Sequence, residues 1–342
     1  MSVAATALPR PGSLPRLGFV GLGWIGTHRL RALAESGRAT VAALADTDPA
    51  RTADAANAIA QWQQPGTTCT FQELLRLDLD GVVIATPNHA HASQALAALD
   101  RGFSVYCQKP LARTRAEVAR IVQAARDADR LLGVDFCYRN VAGMRDIKSR
   151  IAEGAIGEVF AVDLTFHNAY GPNKPWFYDA RSAGGGCVMD LGIHLIDLLL
   201  WVLDYPRIEQ VDSRLCRQGK RLERRSLALE DFATAEISFA NGLTARLACS
   251  WHLSAGCDAV ISAVFQGTRG ALRLRNLKGS FFDFATEDLA GTRRQLLSEC
   301  FGTWGGVGIC DWASRLASDP RFDPSAYRFE DVHSVIDAIY GR

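Results

Sequence analysis

From Arg16 onward the chain alternates short apolar runs with longer amphipathic ones. Leu17–Val20, Thr40–Ala45, Thr68–Phe71, Gly81–Ala85, Ser104–Cys107 and Leu131–Asp135 have the length and β-branched content of buried strands. Helical periodicity fills the gaps: from the glycines after Val20 to about Glu35, Pro49 to about Ala60, onward from Gln72, about His91–Arg101 and about Arg113–Ala128. Strand and helix in regular alternation predict a doubly wound parallel sheet with helices on both faces.

After about Tyr138 the rhythm changes. A short helix at Asp146–Glu153, a strand at Val159–Phe166 and a loop over His167–Ala183 lead into Gly184–Trp201, GGGCVMDLGIHLIDLLLW, where three glycines open an apolar helix. Beyond Asp204 the pattern is mostly strands. Phe232–Ala240 and Leu243–Trp251 flank Asn241-Gly242, a strong hairpin signal, and Ala259–Phe265, Ala271–Arg275 and Ser280–Ala285 continue the series. This predicts an α+β region with an open, mainly antiparallel sheet carrying the glycine-led helix on one face. Arg246 and Ser250 alternate with Leu247, Cys249 and Trp251, so the other face is more polar. Tyr327–Tyr340 closes the chain as an amphipathic helix.

The expected organisation is a flexible tail at 1–15, a dinucleotide-binding domain at 16–138 and a substrate and oligomerisation domain at 139–342. The last helix, 327–340, is a candidate to pack back on the first domain. A length of 342 residues is enough for two cores. A net charge of +1 with no long basic run speaks against nucleic acid and anionic membrane as partners. The longest dense apolar run, Leu195–Leu203, is short for a membrane span and contains Asp197. Nine cysteines without a CxxC pair read as reduced thiols of a cytoplasmic protein.

Candidate chemistry gathers at two places. Gly21, Gly23 and Gly26 of GLGWIG follow a strand and open a helix, and Asp46 ends the next strand twenty residues after Gly26. In that context Gly21 makes a tight turn, Gly23 admits a pyrophosphate to the backbone and Gly26 lets the helix pack close, with Trp24 and Ile25 lining the turn. Asp46 would accept hydrogen bonds from the adenosine ribose, which favours NAD and disfavours NADP, although Arg51 could reach a 2′-phosphate. On the glycine-led helix, Asp190, His194 and Asp197 are spaced i, i+4, i+7, which puts them on one face. Two readings stay open: a core histidine held by two carboxylates, or an acid–base histidine with aspartate partners. A metal at these three residues lacks a fourth ligand, and none is expected. In the loop before the helix, Tyr170 and Trp176 offer aromatic faces suited to a sugar ring, although such loops also cover sheets.

Four motifs in this order, VGLGWIG, TPNHAH, CQKPLA and GGGCVMDLGIHLIDLLLW, make the chain resemble the Gfo/Idh/MocA family of sugar and polyol oxidoreductases. The resemblance implies an N-terminal Rossmann domain, a C-terminal open sheet and sheet-to-sheet assembly into a homodimer or homotetramer. It implies Lys109, Asp190 and His194 as the catalytic set, with Asn88 and His91 near the nicotinamide. Thr86, Pro87, Gln108 and Lys109 would border the cofactor from the carboxyl ends of their strands. Arg139, Tyr170 and Trp176 join Lys109, Asp190 and His194 as substrate candidates. Gln108 departs from the family's usual Glu-Lys-Pro. The expected function is NAD-dependent hydride transfer at a secondary alcohol of a small sugar or polyol, with Lys109 or His194 taking the proton. The alternatives are glycoside cleavage by transient oxidation and a non-catalytic dinucleotide sensor, and the joint presence of Lys109, Asp190 and His194 speaks against the sensor.

Overall fold

The computed structural model describes residues 14–223, 228–302 and 304–342, so most of the expected tail lies outside the described residues. The chain divides into two units: residues up to Phe136 together with Gly306–Glu330, and Cys137–Gly305 together with Asp331–Arg342.

In the first unit, β1 (Arg16–Val20), β2 (Thr40–Ala45), β3 (Thr67–Thr68), β4 (Gly81–Ile84), β5 (Ser104–Gln108) and β6 (Leu132–Asp135) form a six-stranded sheet in the order β3-β2-β1-β4-β5-β6. Every pairing is parallel. Parallel strands covered on both faces must be apolar throughout, as Val82, Val83 and Ile84 are. The intervening helices are α1 (Trp24–Ser36), α2 (Pro49–Ile59), α3 (Phe71–Leu74), α4 (Asn88–Asp100) and α5 (Arg115–Asp127). β3 is shorter than the apolar pattern suggests because Thr70 and Glu73 form a reciprocal capping box, which commits Phe71 to α3. A later segment returns to this unit. Helix Val307–Ser318 buries Ile309, Trp312, Ala313 and Leu316 in the core that contains Leu17, Phe19 and Tyr106.

The second unit begins with α6 (Met144–Ala152) and β7 (Val159–Asn168), followed by α7 (Ala180–Ala183) and α8 (Ile193–Val202). The remaining strands are β8 (Ile208–Arg217), β9 (Lys220–Arg221), β10 (Phe232–Phe239), β11 (Thr244–Ser250), β12 (Ala259–Gly267), β13 (Gly270–Asn276), β14 (Asp283–Ala290) and β15 (Arg293–Phe301). They make a nine-stranded sheet in the order β15-β14-β13-β12-β7-β11-β10-β8-β9. All its pairings are antiparallel except β7 with β11, so the sheet is mixed. One face buries Ile237, Ala245, Leu247 and Cys249. On the other face Arg246 pairs with Asp163 at 2.6 Å and Ser250 lies 2.8 Å from His167 Nδ1. The helical stretch Ala180–Val202 has the length and composition of a membrane span, unlike the shorter run the sequence marks out. Most of its residues are buried within the protein. The last two helices are α9 (Val307–Ser318) and α10 (Arg328–Tyr340).

Candidate active site

The first unit's candidate site lies at the carboxyl ends of β1, β2, β4 and β5. Gly21 has φ +86°, and a Cβ there would sit 2.5 Å from the backbone of Ala85 and Thr86. A Cβ on Gly26 would sit 2.0 Å from Gly21 O. No side chain at either position is compatible with this turn. Gly23 occupies the N-cap of α1, with no side-chain cap and no acidic residue in the first turn. The helix N-terminus therefore presents its amides and positive dipole end without a competing anion of its own, as a phosphate site requires. Asp46 accepts from Leu22 N at 2.7 Å and from Asp48 N at 2.9 Å. Its carboxylate thus ties the end of β2 to the glycine turn and keeps lone pairs for a ribose. Arg51 pairs with Asp48 at 3.5 Å rather than standing alone. Trp24, the first residue of α1, is 64% exposed, and Ile25 is half-buried.

At the end of β4, Thr86 donates to Gln94 Oε1 at 2.6 Å, Pro87 is the N-cap of α4 and Asn88 is buried. His91 is fully buried, with Nε2 2.6 Å from Thr86 O and Nδ1 2.7 Å from Pro110 O. Both ring nitrogens are committed to backbone carbonyls, so the ring links the two turns that carry Asn88 and Lys109. Burial lowers its pKa, although the two carbonyls pull the other way.

The second unit carries a candidate cluster of its own. Asp190 lies in a π turn over Val188–Gly192, and α8, which carries His194 and Asp197, follows it directly. Asp190 accepts from the indole Nε1 of Trp251 at 3.1 Å. His194 is buried, with its ring 4.7 Å from that of Tyr138 and 6.4 Å from that of Phe166. Burial pushes the Tyr138 phenol well above its ordinary pKa. Asp197, 1% exposed, pairs with Arg139, whose Nε lies 2.8 Å from Oδ2. Arg139 also donates to Tyr205 Oη at 3.0 Å and stacks on Trp201. Burial acts to lower the pKa of this guanidinium, and Asp197 more than offsets it. In the loop, Tyr170 is 50% exposed and Trp176 stacks on Phe177 at 3.8 Å. Tyr178 packs edge-on against Trp251. An open groove of about 960 Å³ is lined by Tyr178, Arg214, Phe232, Trp251 and His252 among others. Among the described residues no group of three or more His, Cys, Asp or Glu side chains gathers as a metal site would.

A family described as "Oxidoreductase family, NAD-binding Rossmann fold" matches residues 15–136, and the "GFO/IDH/MocA C-terminal domain" matches residues 144–273. The chain belongs to the Gfo/Idh/MocA family. Among its relatives, 1,5-anhydro-D-fructose reductase of Ensifer adhaerens is 34% identical over 203 residues, 58% of each chain. Inositol 2-dehydrogenase 4 of Saccharopolyspora erythraea is 28% identical over 93% of this chain and 85% of its own. Levoglucosan dehydrogenase in complex with NADH and levoglucosan shares the fold, with a TM-score of 0.79 at 23% identity over 96% of both chains. In several of the curated matches the chain spans only 55% to 60% of the relative's length.

Within this family frame the departure at Gln108 has a local explanation. Gln108 on β5 is in register with Asp135 on β6, a carboxylate only 1% exposed. Asp135 accepts from Arg29 Nε at 2.6 Å and from Tyr106 Oη at 3.1 Å. The buried charge beside the Lys109 turn is thus carried on the neighbouring strand. Sequence reasoning missed Asp135, Trp251 and Glu230, because each sits in or beside a strand and looks like an ordinary member of it, and Tyr138, which lies in a short 3-10 turn with no motif of its own.

Proposed function

We propose that the protein is an NAD-dependent oxidoreductase that moves hydride between a secondary alcohol carbon of a sugar or polyol and the nicotinamide. The observation that carries this reading is the first unit's glycine turn. A Cβ would fill the space at Gly21 and Gly26, and the α1 N-terminus has no acid of its own. The dinucleotide fits that cradle. Gly21, Gly23 and Gly26 would hold the pyrophosphate and Asp46 the adenosine ribose. When bound, NAD supplies the hydride acceptor.

The chain's own residues handle the proton and the substrate. Oxidising a secondary alcohol requires removing the hydroxyl proton as hydride leaves the same carbon. His194 takes that proton in this reading, and Asp190, fixed by Trp251, orients a neighbouring hydroxyl. Lys109 supplies the positive charge that stabilises a developing alkoxide. Gln108 and His91 hold the Lys109-Pro110 turn by its backbone. Tyr178 and Trp251, the latter bonded to Asp190, give the groove apolar faces that a pyranose or inositol ring packs on. The relatives' names, a reductase of anhydrofructose and a dehydrogenase of inositol, support this substrate class. We assign assembly as a homo-oligomer to the polar outer face of the nine-stranded sheet.

The experiment is a pair of variants, Lys109→Met and His194→Ala, assayed against the best substrate of a sugar and polyol panel. Each should lower kcat by about 100-fold or more while NADH binding persists. Normal turnover in either variant would remove that residue from the catalytic set.

A further inference from the structure

The helical stretch that carries Asp190 and His194 begins with four backbone N–H groups that have no acceptor within their own turn, because its first such bond runs from Asp190 N to Gly186 O at 3.0 Å. Two residues distant in sequence satisfy all four. Gly186 N donates to Glu230 Oε2 at 3.1 Å, Cys187 N to Glu230 O at 3.1 Å and Val188 N to Glu230 Oε1 at 3.0 Å. Met189 N donates to Tyr340 Oη at 3.3 Å, and that hydroxyl donates onward to Glu230 Oε1 at 2.8 Å. Glu230 is 2% exposed, so a charge has been taken out of water to reach this position.

The glycines are what make the approach possible. A Cβ on Gly186 would lie 2.0 Å from Glu230 O, and one on Gly185 would lie 2.1 Å from Tyr340 Oη. The motif's small residues therefore serve a docking contact within the second unit as well as a turn. The next residue in the chain completes the support. Asp231 O accepts Trp251 N at 2.7 Å, and the Trp251 indole donates to Asp190 Oδ2. The adjacent pair Glu230-Asp231 thus holds Asp190 from two directions, one through the helix start and one through the indole.

We propose that Glu230 and Tyr340 are positioning residues that fix the Asp190 and His194 helix for catalysis, an assignment that rests on the oxidoreductase reading above. A carboxylate is the side chain this place demands. Both of its oxygens face N–H donors, and its negative charge sits at a helix N-terminus. Glutamine would turn an NH2 group toward Gly186 N or Val188 N, donor against donor. Phenylalanine at 340 would leave Met189 N without its acceptor and Glu230 without one donor.

The test compares Glu230→Gln and Tyr340→Phe with wild type, with turnover expressed per site titrated by NADH. A displacement of Asp190 should lower kcat by about 100-fold in the first variant and about tenfold in the second. KM should stay within about threefold and NADH affinity should be unchanged. A role in folding alone would reduce the number of titratable sites and leave kcat per site intact, which would overturn the proposal. Should Glu230→Gln not fold, Tyr340→Phe carries the same comparison. Wild type inert toward every alcohol would mean that the oxidoreductase reading has failed, and amide hydrogen exchange then decides the positioning claim. Exchange at Gly186–Met189 should rise by about tenfold or more in Glu230→Gln while Thr27 N in α1 stays protected. Equal protection in variant and wild type would overturn it.

Discussion

Gln108 stands between Lys109 and Asp135: its Oε1 accepts Lys109 N at 2.7 Å, and its Nε2 donates to Asp135 Oδ2 at 3.1 Å. Restoring the family's usual glutamate would set two carboxylates against each other in a poorly hydrated place. Gln108→Glu should lower stability by about 2 kcal/mol or more, measured by urea unfolding. Asp135→Asn alone strips the buried Arg29 of its partner, so the coupling is read from a double-mutant cycle: Gln108→Glu should cost less in the Asp135→Asn background than in wild type. A single variant as stable as wild type would show that Gln108 and Asp135 are not coupled.

His91 yields a pH prediction. Burial lowers its pKa from the ordinary 6.5. The sign follows from linkage: the unfolded chain takes up the proton first, so the contribution is present above 6.5 and is lost as pH falls through the folded value. Replacing His91 by Phe leaves whichever of Thr86 O and Pro110 O the neutral ring donates to without its donor, at a cost of about 1–3 kcal/mol near neutrality. The gap between wild type and variant should narrow on acidification to about pH 5. Parallel losses in the two proteins would contradict this account of the ring.

Much of the first unit was legible in the chain because fully buried parallel strands have to be continuous apolar runs, and β2 matches its pattern at both ends. The polar strands were not. β15 exposes most of its residues, and β8 alternates at an exposed flank of the sheet, so neither shows the apolar signature of a strand. Helix α9, which buries Ile309, Trp312, Ala313 and Leu316, was not read from the chain, and nothing local says that it rejoins the first unit's core. At the site, Lys109, Asp190 and His194 could be named from motifs. Glu230, Asp135 and Trp251 act through tertiary contacts 42 or more residues apart, 27 residues apart and 61 residues apart, which no local pattern encodes.

Cofactor choice rests on Asp46. Its carboxylate is held at the end of β2 by Leu22 N and Asp48 N, where a 2′-phosphate would meet it, and Arg51 is turned to Asp48. Fluorescence titration should show NADH binding about tenfold or more tighter than NADPH, with Asp46→Ala narrowing the ratio. Equal affinities in wild type would refute this role.

Assembly through the nine-stranded sheet predicts a mass of two or four chains by light scattering at micromolar concentration. Reversing the charge of Arg246, half of an ion pair with Asp163 on that face, should shift the distribution toward smaller species. A wild-type monomer would rule the interface out.

The central claim is that this chain moves hydride between a cyclic or polyhydric alcohol and NAD. Its most direct test is to mix wild-type protein with NAD and each member of a panel of sugars, polyols and inositols, following the absorbance of reduced nicotinamide. The account predicts that at least one secondary alcohol drives formation of reduced cofactor well beyond one equivalent per chain, and that Lys109→Met abolishes it. Tight NAD binding with no reduction by any member of the panel, and no oxidation of NADH by the matching ketones, would contradict it.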